Sequence, residues 1–189
     1  MPVVLSGVNQ LQRNLRQFQP DAAKALKKRV GAELKPLANR AKGLVPASAP
    51  LSGWSPRSFS EGRFPFFNST DIRAGIGSTA GTTSFNRSGF SYVASIYNAS
   101  RVGAIAETAG RKNPTGQPWN PAASGNRYSH SKNPNAGRQF ISALGKVGIG
   151  KSAGRYIFRA ADESQGRVTA AVVQAYEDAA IKFYGKGLK

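Results

Sequence analysis

The stretch Phe90–Gly110, FSYVASIYNASRVGAIAETAG, decides how the rest of the chain is read. It opens as a strand. Val93, Ser95 and Tyr97 fall on one side and Tyr92, Ala94 and Ile96 on the other, and Tyr, Val and Ile suit a pleated surface. Asn98-Ala99-Ser100 breaks the alternation. Small residues follow around one acid, Glu107, set between Ala106 and Thr108. The chain has nine Asp and Glu against 27 Lys and Arg, so an acid among small apolar neighbours needs a reason. Helical patterns lie on both sides of this stretch, and two long segments rich in Gly, Pro, Asn and Ser interrupt the middle. The frame is a central strand with terminal helices and long loops.

Working outward, 189 residues suffice for one domain with a real core, and a single domain over 1–189 is expected. The net charge of +18 favours acidic partners, which are nucleic acid or an acidic protein surface; the plain alternative is a solvated basic surface. With no cysteine, disulfides and thiolate metal sites are excluded. The N-terminus lacks the basic start and long apolar run of a signal peptide. No apolar run approaches the roughly 20 residues of a membrane helix, so no membrane partner is expected.

Ser6 is a candidate cap for a helix whose apolar residues are Val8, Leu11, Leu15 and Phe18, ending near Gln19. Pro20-Asp21 starts a second helix, with proline in the first turn and an acid at the positive end of the dipole. Its stripe is Leu26, Val30, Leu34, Leu37, Ala41 and Leu44, and Gly43 is its stop. Pro36 inside it predicts a kink. Lys24, Lys27, Lys28, Lys35 and Lys42 take the other face, which is either a polyanion contact or a solvated surface. Between Leu44 and Thr70, Pro46, Pro50, Pro56 and Pro65 forbid a long helix. The same segment holds Trp54, Phe59, Phe64, Phe66 and Phe67, too many aromatics for a solvated linker. They pack on their own domain or dock on a neighbouring subunit. Asp71–Gly77 alternates well enough to be a strand, paired antiparallel with 90–98, and a hairpin end is expected near Gly81. Residues 111–137 show no core period and read as an extended arm or flexible loop with Trp119 and Tyr128 as anchors. Arg138–Gly150 begins with a short helical pattern. A last helix starts near Ala153, and Gly166 is a candidate break before Val168, Val172, Ala175, Ala179 and Phe183.

Chemistry-bearing constellations are weak. The single histidine, His130, stands in a polar loop. Asp162-Glu163 and Glu177-Asp178 are sequence neighbours, which point in different directions on a helix and form no facing acid/base pair. Gly145-x4-Gly150-Lys151-Ser152 fits the bare spacing of a phosphate loop, but no buried β-branched strand leads into it. Nucleic-acid contact is the stronger rival. Residues 1–43 hold nine Lys and Arg with two acids, and residues 111–155 hold eight with none.

The order of parts carries a resemblance. A basic helix ends in Ala41-Lys42…Pro46; a strand leads to Glu107-Thr108-Ala109-Gly110; and Phe158-Arg159-Ala160-Ala161 precedes the last helix. This order resembles the neck, or tail-completion, proteins of long-tailed bacteriophages, especially those infecting actinobacteria. The resemblance implies a non-enzymatic virion protein without cofactors, one subunit of a homo-oligomeric ring at the head–tail junction, present in the host cytoplasm during assembly. Its implied partners are connector or stopper proteins, tail terminator or tail tube proteins, and the DNA passing through the channel. A tail terminator or minor tail protein is the near alternative, and a basic nucleic-acid-binding protein the distant one.

The expectation is therefore an α+β fold with N-terminal helices, a small mostly antiparallel sheet, a C-terminal helix and two long irregular arms at about 47–69 and 111–137. Subunit or partner contacts are expected at Trp54, Phe64, Phe66, Phe67, Glu107, Trp119 and Tyr128. Polyanion or acidic-partner contacts are expected at Lys24, Lys27, Lys28, Lys35, Arg111 and Lys112. On the neck reading, Trp54, Phe66, Phe67 and Trp119 are buried only in the assembly, and Glu107 makes a subunit contact or a hydrogen bond at a strand end.

Overall fold

A computed structural model describes residues 8–55, 65–80, 94–124, 127–147 and 153–185. Its helices are α1 (Val8–Phe18), α2 (Pro20–Gly43), α3 (Ser69–Gly75), α4 (Arg101–Thr108), α5 (Ala136–Leu144) and α6 (Ile157–Tyr184), with a 3-10 turn at Ser52–Trp54. Strands β1 (Ile76–Ala80) and β2 (Ala94–Asn98) form a two-stranded antiparallel sheet, so the fold is α+β. The described residues divide into two compact units. The first draws on Met1–Arg40, Gly77–Tyr97 and Ala161–Lys189, and the second on Ala41–Ile76 and Asn98–Ala160.

In the first unit the apolar stripes read from the sequence meet. Val8, Leu11 and Leu15 of α1 pack with Leu26, Val30 and Leu34 of α2, Ala80 of β1, and Val172, Ala175, Tyr176 and Ala180 of α6. Around this core, Arg29 pairs with Asp178 at 2.7 Å and Arg40 with Glu163 at 2.8 Å. Thus one acid from each adjacent pair is held by an arginine of α2. These half-exposed pairs are each worth about 0–1 kcal/mol. In the sheet, a Cβ on Gly77 would lie 2.8 Å from the ring of Tyr97, so only glycine lets that ring cross β1.

In the second unit, Trp54 is fully enclosed. It meets Phe67 and Phe140 edge-on at 5.2 and 4.9 Å, and its indole N–H donates to the Pro65 carbonyl at 2.7 Å. Asn98 sits in a slot between α3 and α4 that two glycines open. A Cβ on Gly75 would fall 2.5 Å from its Oδ1, and one on Gly103 2.2 Å from its Nδ2. The same side chain accepts from Ser100 N–H and donates to the Ile72 carbonyl.

Two sequence expectations are corrected, at Asp71–Gly77 and at Gly166. Asp71–Gly77 is not a strand; α3 covers most of it and β1 begins at Ile76. Ile72 and Ile76, both buried, are four apart, a spacing that suits a helix turn as well as alternation does. The Asn68 side chain decides for the helix by accepting from Asp71 N–H. The small residues after Ser100 form α4, capped by the Ser100 hydroxyl on Gly103 N–H. Gly166 does not break α6, whose burial of Val172, Ala175 and Ala180 outweighs the roughly 1 kcal/mol helix penalty of one glycine. Pro36 lies within α2, which continues to Gly43. Ser6, the hairpin end near Gly81, the strand residues 90–93 and the Gly150-Lys151-Ser152 loop fall outside the described residues, as does the Phe18 side chain.

A Cβ on Gly166 would meet nothing within 4 Å. Gly166→Ala is therefore expected to raise unfolding free energy by about 0.5–1 kcal/mol in urea titration. A loss of stability would mean that the helix is not continuous there.

Candidate functional site

The second unit is organised around a carboxylate. Glu107, on the last turn of α4 and buried, accepts three backbone N–H bonds at the start of α6: Tyr156 at 2.8 Å and Ile157 at 3.2 Å on Oε2, and Phe158 at 3.1 Å on Oε1. These are donors that a helix N-terminus leaves unpaired, and the carboxylate meets the positive end of the helix dipole. The cap is supplied from a residue 49 positions earlier in the chain. Gly154 permits it, since a Cβ there would sit 2.1 Å from Glu107 Oε1.

Arg155, also buried, completes the joint. Its guanidinium donates to the Ala106 carbonyl at 2.9 Å and twice to the Gly145 carbonyl, at 3.0 and 2.8 Å, so it ties the end of α4 to the end of α5. Burial pushes its pKa below the ordinary value; Tyr156 and Glu107 pull it back up. Arg111 donates to the Ala153 carbonyl and lies over the Phe158 ring at 4.7 Å. Gly110, with φ of 88°, turns the chain where a Cβ would press on Ile141. The segments Glu107–Arg111 and Gly154–Phe158 are thus one buried joint.

From this joint the chain enters the 111–137 loop. Gly116, with φ of 86°, passes so close to Gly137 that a Cβ would stand 2.4 Å from its carbonyl carbon. Trp119 and Ser129 form a parallel bridge, and the Trp119 indole donates to the Ser131 carbonyl at 2.9 Å. Asn120 and Asn133 turn the backbone with their side chains. The described part of the expected arm is therefore a closed loop. With α5 and the end of α4 it walls a groove of about 1030 Å³, whose lining includes Lys112, Tyr128, His130, Phe140 and Ile141.

The second feature is charge. Residues 98–160 carry ten Lys and Arg and one acid, and that acid is Glu107. Because Glu107 is turned inward, the described residues of this segment present cations and no carboxylate to solvent. Arg101, Lys112, Arg127, Lys132, Arg138 and Lys146 are all exposed.

The residues singled out from the sequence separate accordingly. Trp54 and Phe67, expected to be covered only by a neighbouring subunit, are buried in their own unit, because the indole has an internal hydrogen-bond partner and two aromatic neighbours. Phe66 is half-buried and Phe64 lies outside the described residues. Glu107 bonds a helix end, not a strand end. Trp119 is 45% exposed on its loop, and half-buried Tyr128 lines the groove. Arg111 belongs to the joint, while Lys112 is exposed. Lys24, Lys27, Lys28 and Lys35 stand exposed on α2 in the first unit, with Lys24 3.6 Å from Asp21. Arg155 was missed; its signal was one arginine between Gly154 and an aromatic run. Among the described residues no group of three His, Cys, Asp or Glu could hold a metal ion. No protein-family model, curated protein or solved structure matches the chain.

Replacing Glu107 with Ala leaves three buried N–H groups unpaired, and a loss of about 3–5 kcal/mol in denaturant unfolding is expected. Glu107→Gln, which keeps an acceptor but no charge, should lose about 1–3 kcal/mol. An Ala variant as stable as the parent would remove the joint from its place in the fold. Burial also pushes the Tyr156 phenol up to about 12. Its contribution is intact below the unfolded value of about 10 and is lost as pH rises through the folded one. Stability measured between those values should fall less steeply in Tyr156→Phe.

Proposed function

We propose that this chain is a non-enzymatic structural subunit of a phage head–tail junction, a neck or tail-completion protein that acts as a homo-oligomeric ring. The observation that carries the reading is the segment 98–160, which directs its one carboxylate into the fold and only cations outward. Such a surface suits DNA passing close by, or an acidic protein neighbour, and it is bound by charge without base recognition. The motif residues support the same reading. Glu107 of Glu107–Gly110 accepts from the N–H of Phe158, which opens Phe158–Ala161, so the two motifs are held together in one joint. Trp119, exposed on a closed loop beside the cations, suits a contact between subunits or with a neighbour in the junction. Trp54 and Phe67 do not serve this role.

The same surface supports a second reading, a basic nucleic-acid-binding protein that works as a monomer or dimer. The two readings part in solution. The mass of the purified protein is measured alone and with the head connector of its own virus. A ring, formed alone or on the connector, is the expected result. A monomer or dimer that ignores the connector yet binds duplex DNA, with affinity falling steeply with salt, would replace the ring reading with the second one. In either case, changing Lys112, Arg127, Lys132 and Arg138 together to Gln is expected to reduce polyanion affinity at least about tenfold while thermal stability holds.

A further inference from the structure

Helix α5 differs from the other described helices. Each of the others has buried residues, but none of the nine residues of α5 is buried. Its apolar residues Phe140, Ile141 and Leu144 are each only half-covered. An amphipathic helix is held by covering such a face, so part of the cover of α5 is missing from this chain's own unit. The groove of about 1030 Å³ lies on that side. Its wall is mainly aliphatic, with Leu51, Ile105, Ala109 and Ile141 beside Phe140. Every lining residue belongs to the second unit. A hollow of about 740 Å³ shares Lys112, Asn113, Gln117 and Tyr128 with the groove and adds Pro118 and Arg127. The two form one trough that is aliphatic at one end and carries the exposed cations Lys112 and Arg127 at the other.

The occupant must bring both apolar side chains and negative charge. A second copy of this chain would bring its own cations to the same rim, because residues 98–160 show no carboxylate to solvent. The stretches of this chain outside the described residues hold Glu61 as their one acid, so they supply no acidic segment. Nucleic acid matches the cations, but its bases bind by stacking on aromatic faces, and a wall of leucine and isoleucine offers little to stack on. A peptide segment with large apolar residues set among carboxylates matches both ends of the trough. We propose that the trough is a docking site for such an acidic, apolar-anchored segment of a neighbouring junction protein. The location of that neighbour rests on the ring reading; the chemistry of the segment rests on the trough.

Selection of peptides from a random library on the full chain tests this, followed by titration of one enriched peptide. Enriched sequences are expected to combine Asp or Glu with Leu, Ile, Phe or Trp. The synthetic peptide should saturate at one per chain and weaken about tenfold or more when its apolar residues become Ser. Ala136→Trp, which puts a large side chain into the aliphatic end, should weaken it about tenfold or more. Lys112→Glu, at an exposed position, should weaken it about threefold or more with melting temperature kept. No enrichment, enrichment of basic or uncharged sequences, or unchanged affinity in Lys112→Glu and Ala136→Trp alike would overturn the proposal. So would a thymidine oligonucleotide that displaces the peptide at equal concentration and itself loses affinity in Ala136→Trp, since the trough would then belong to nucleic acid. The ring measurement separates the two readings. A ring on the connector with no such peptide selected removes the docking site alone. Such peptides bound by a chain that forms no ring keep the docking site and remove its place in the junction.

Discussion

A single buried carboxylate holds the second unit together. Glu107 takes three N–H groups at the first turn of α6, and each charge-assisted bond of this kind contributes about 1.5–3 kcal/mol. A helix start that is buried needs such partners, because water cannot reach its unpaired donors. The arrangement also removes the cost of an isolated buried charge, since the anion meets the positive end of a helix dipole with the Arg155 guanidinium nearby. Arg155 in turn fixes the ends of α4 and α5 through their carbonyls. Three helix termini thus meet at one polar joint, and the small residues around it are the consequence. Gly154 admits the carboxylate, and Gly110 makes room for Ile141.

That joint has an electrostatic result at the surface. Placing the only acid of residues 98–160 inside leaves their exterior to cations. The sequence already shows cations without an acid over 111–155, and the inward turn of Glu107 extends that one-signed surface over 98–160. The first unit differs. There Asp178 and Glu163 are spent on Arg29 and Arg40, so part of its basic charge is matched within the unit. Polyanion contact is better supported on the loop side of the second unit than on the lysine face of α2, where exposure alone speaks for it.

The loops show how far composition can mislead. Proline and aromatic content made 47–69 read as an arm, yet Trp54 and Phe67 anchor its ends into the unit's own core. Asparagine and glycine made 111–137 read as flexible, yet Asn120 and Asn133 form turns and the Gly116–Gly137 crossing closes the loop. In both cases the residues that break regular structure also build specific irregular structure.

The sequence by itself determined what local pattern can carry. Helices α1, α2 and α6 followed from apolar spacing, β2 from alternation, the α+β class from their order, and the basic character from a simple count. It also marked Glu107 as an acid in need of a reason. Tertiary structure alone decided what that reason is, because its partners lie about fifty positions away and are backbone groups, which no side-chain pattern announces. It likewise decided that α3 is a helix, since two isoleucines four apart fit either period until the Asn68 cap and the Asn98 slot choose. It turned Trp54 inward as well, since an indole goes where its N–H finds a carbonyl, and only the folded chain brings Pro65 to it.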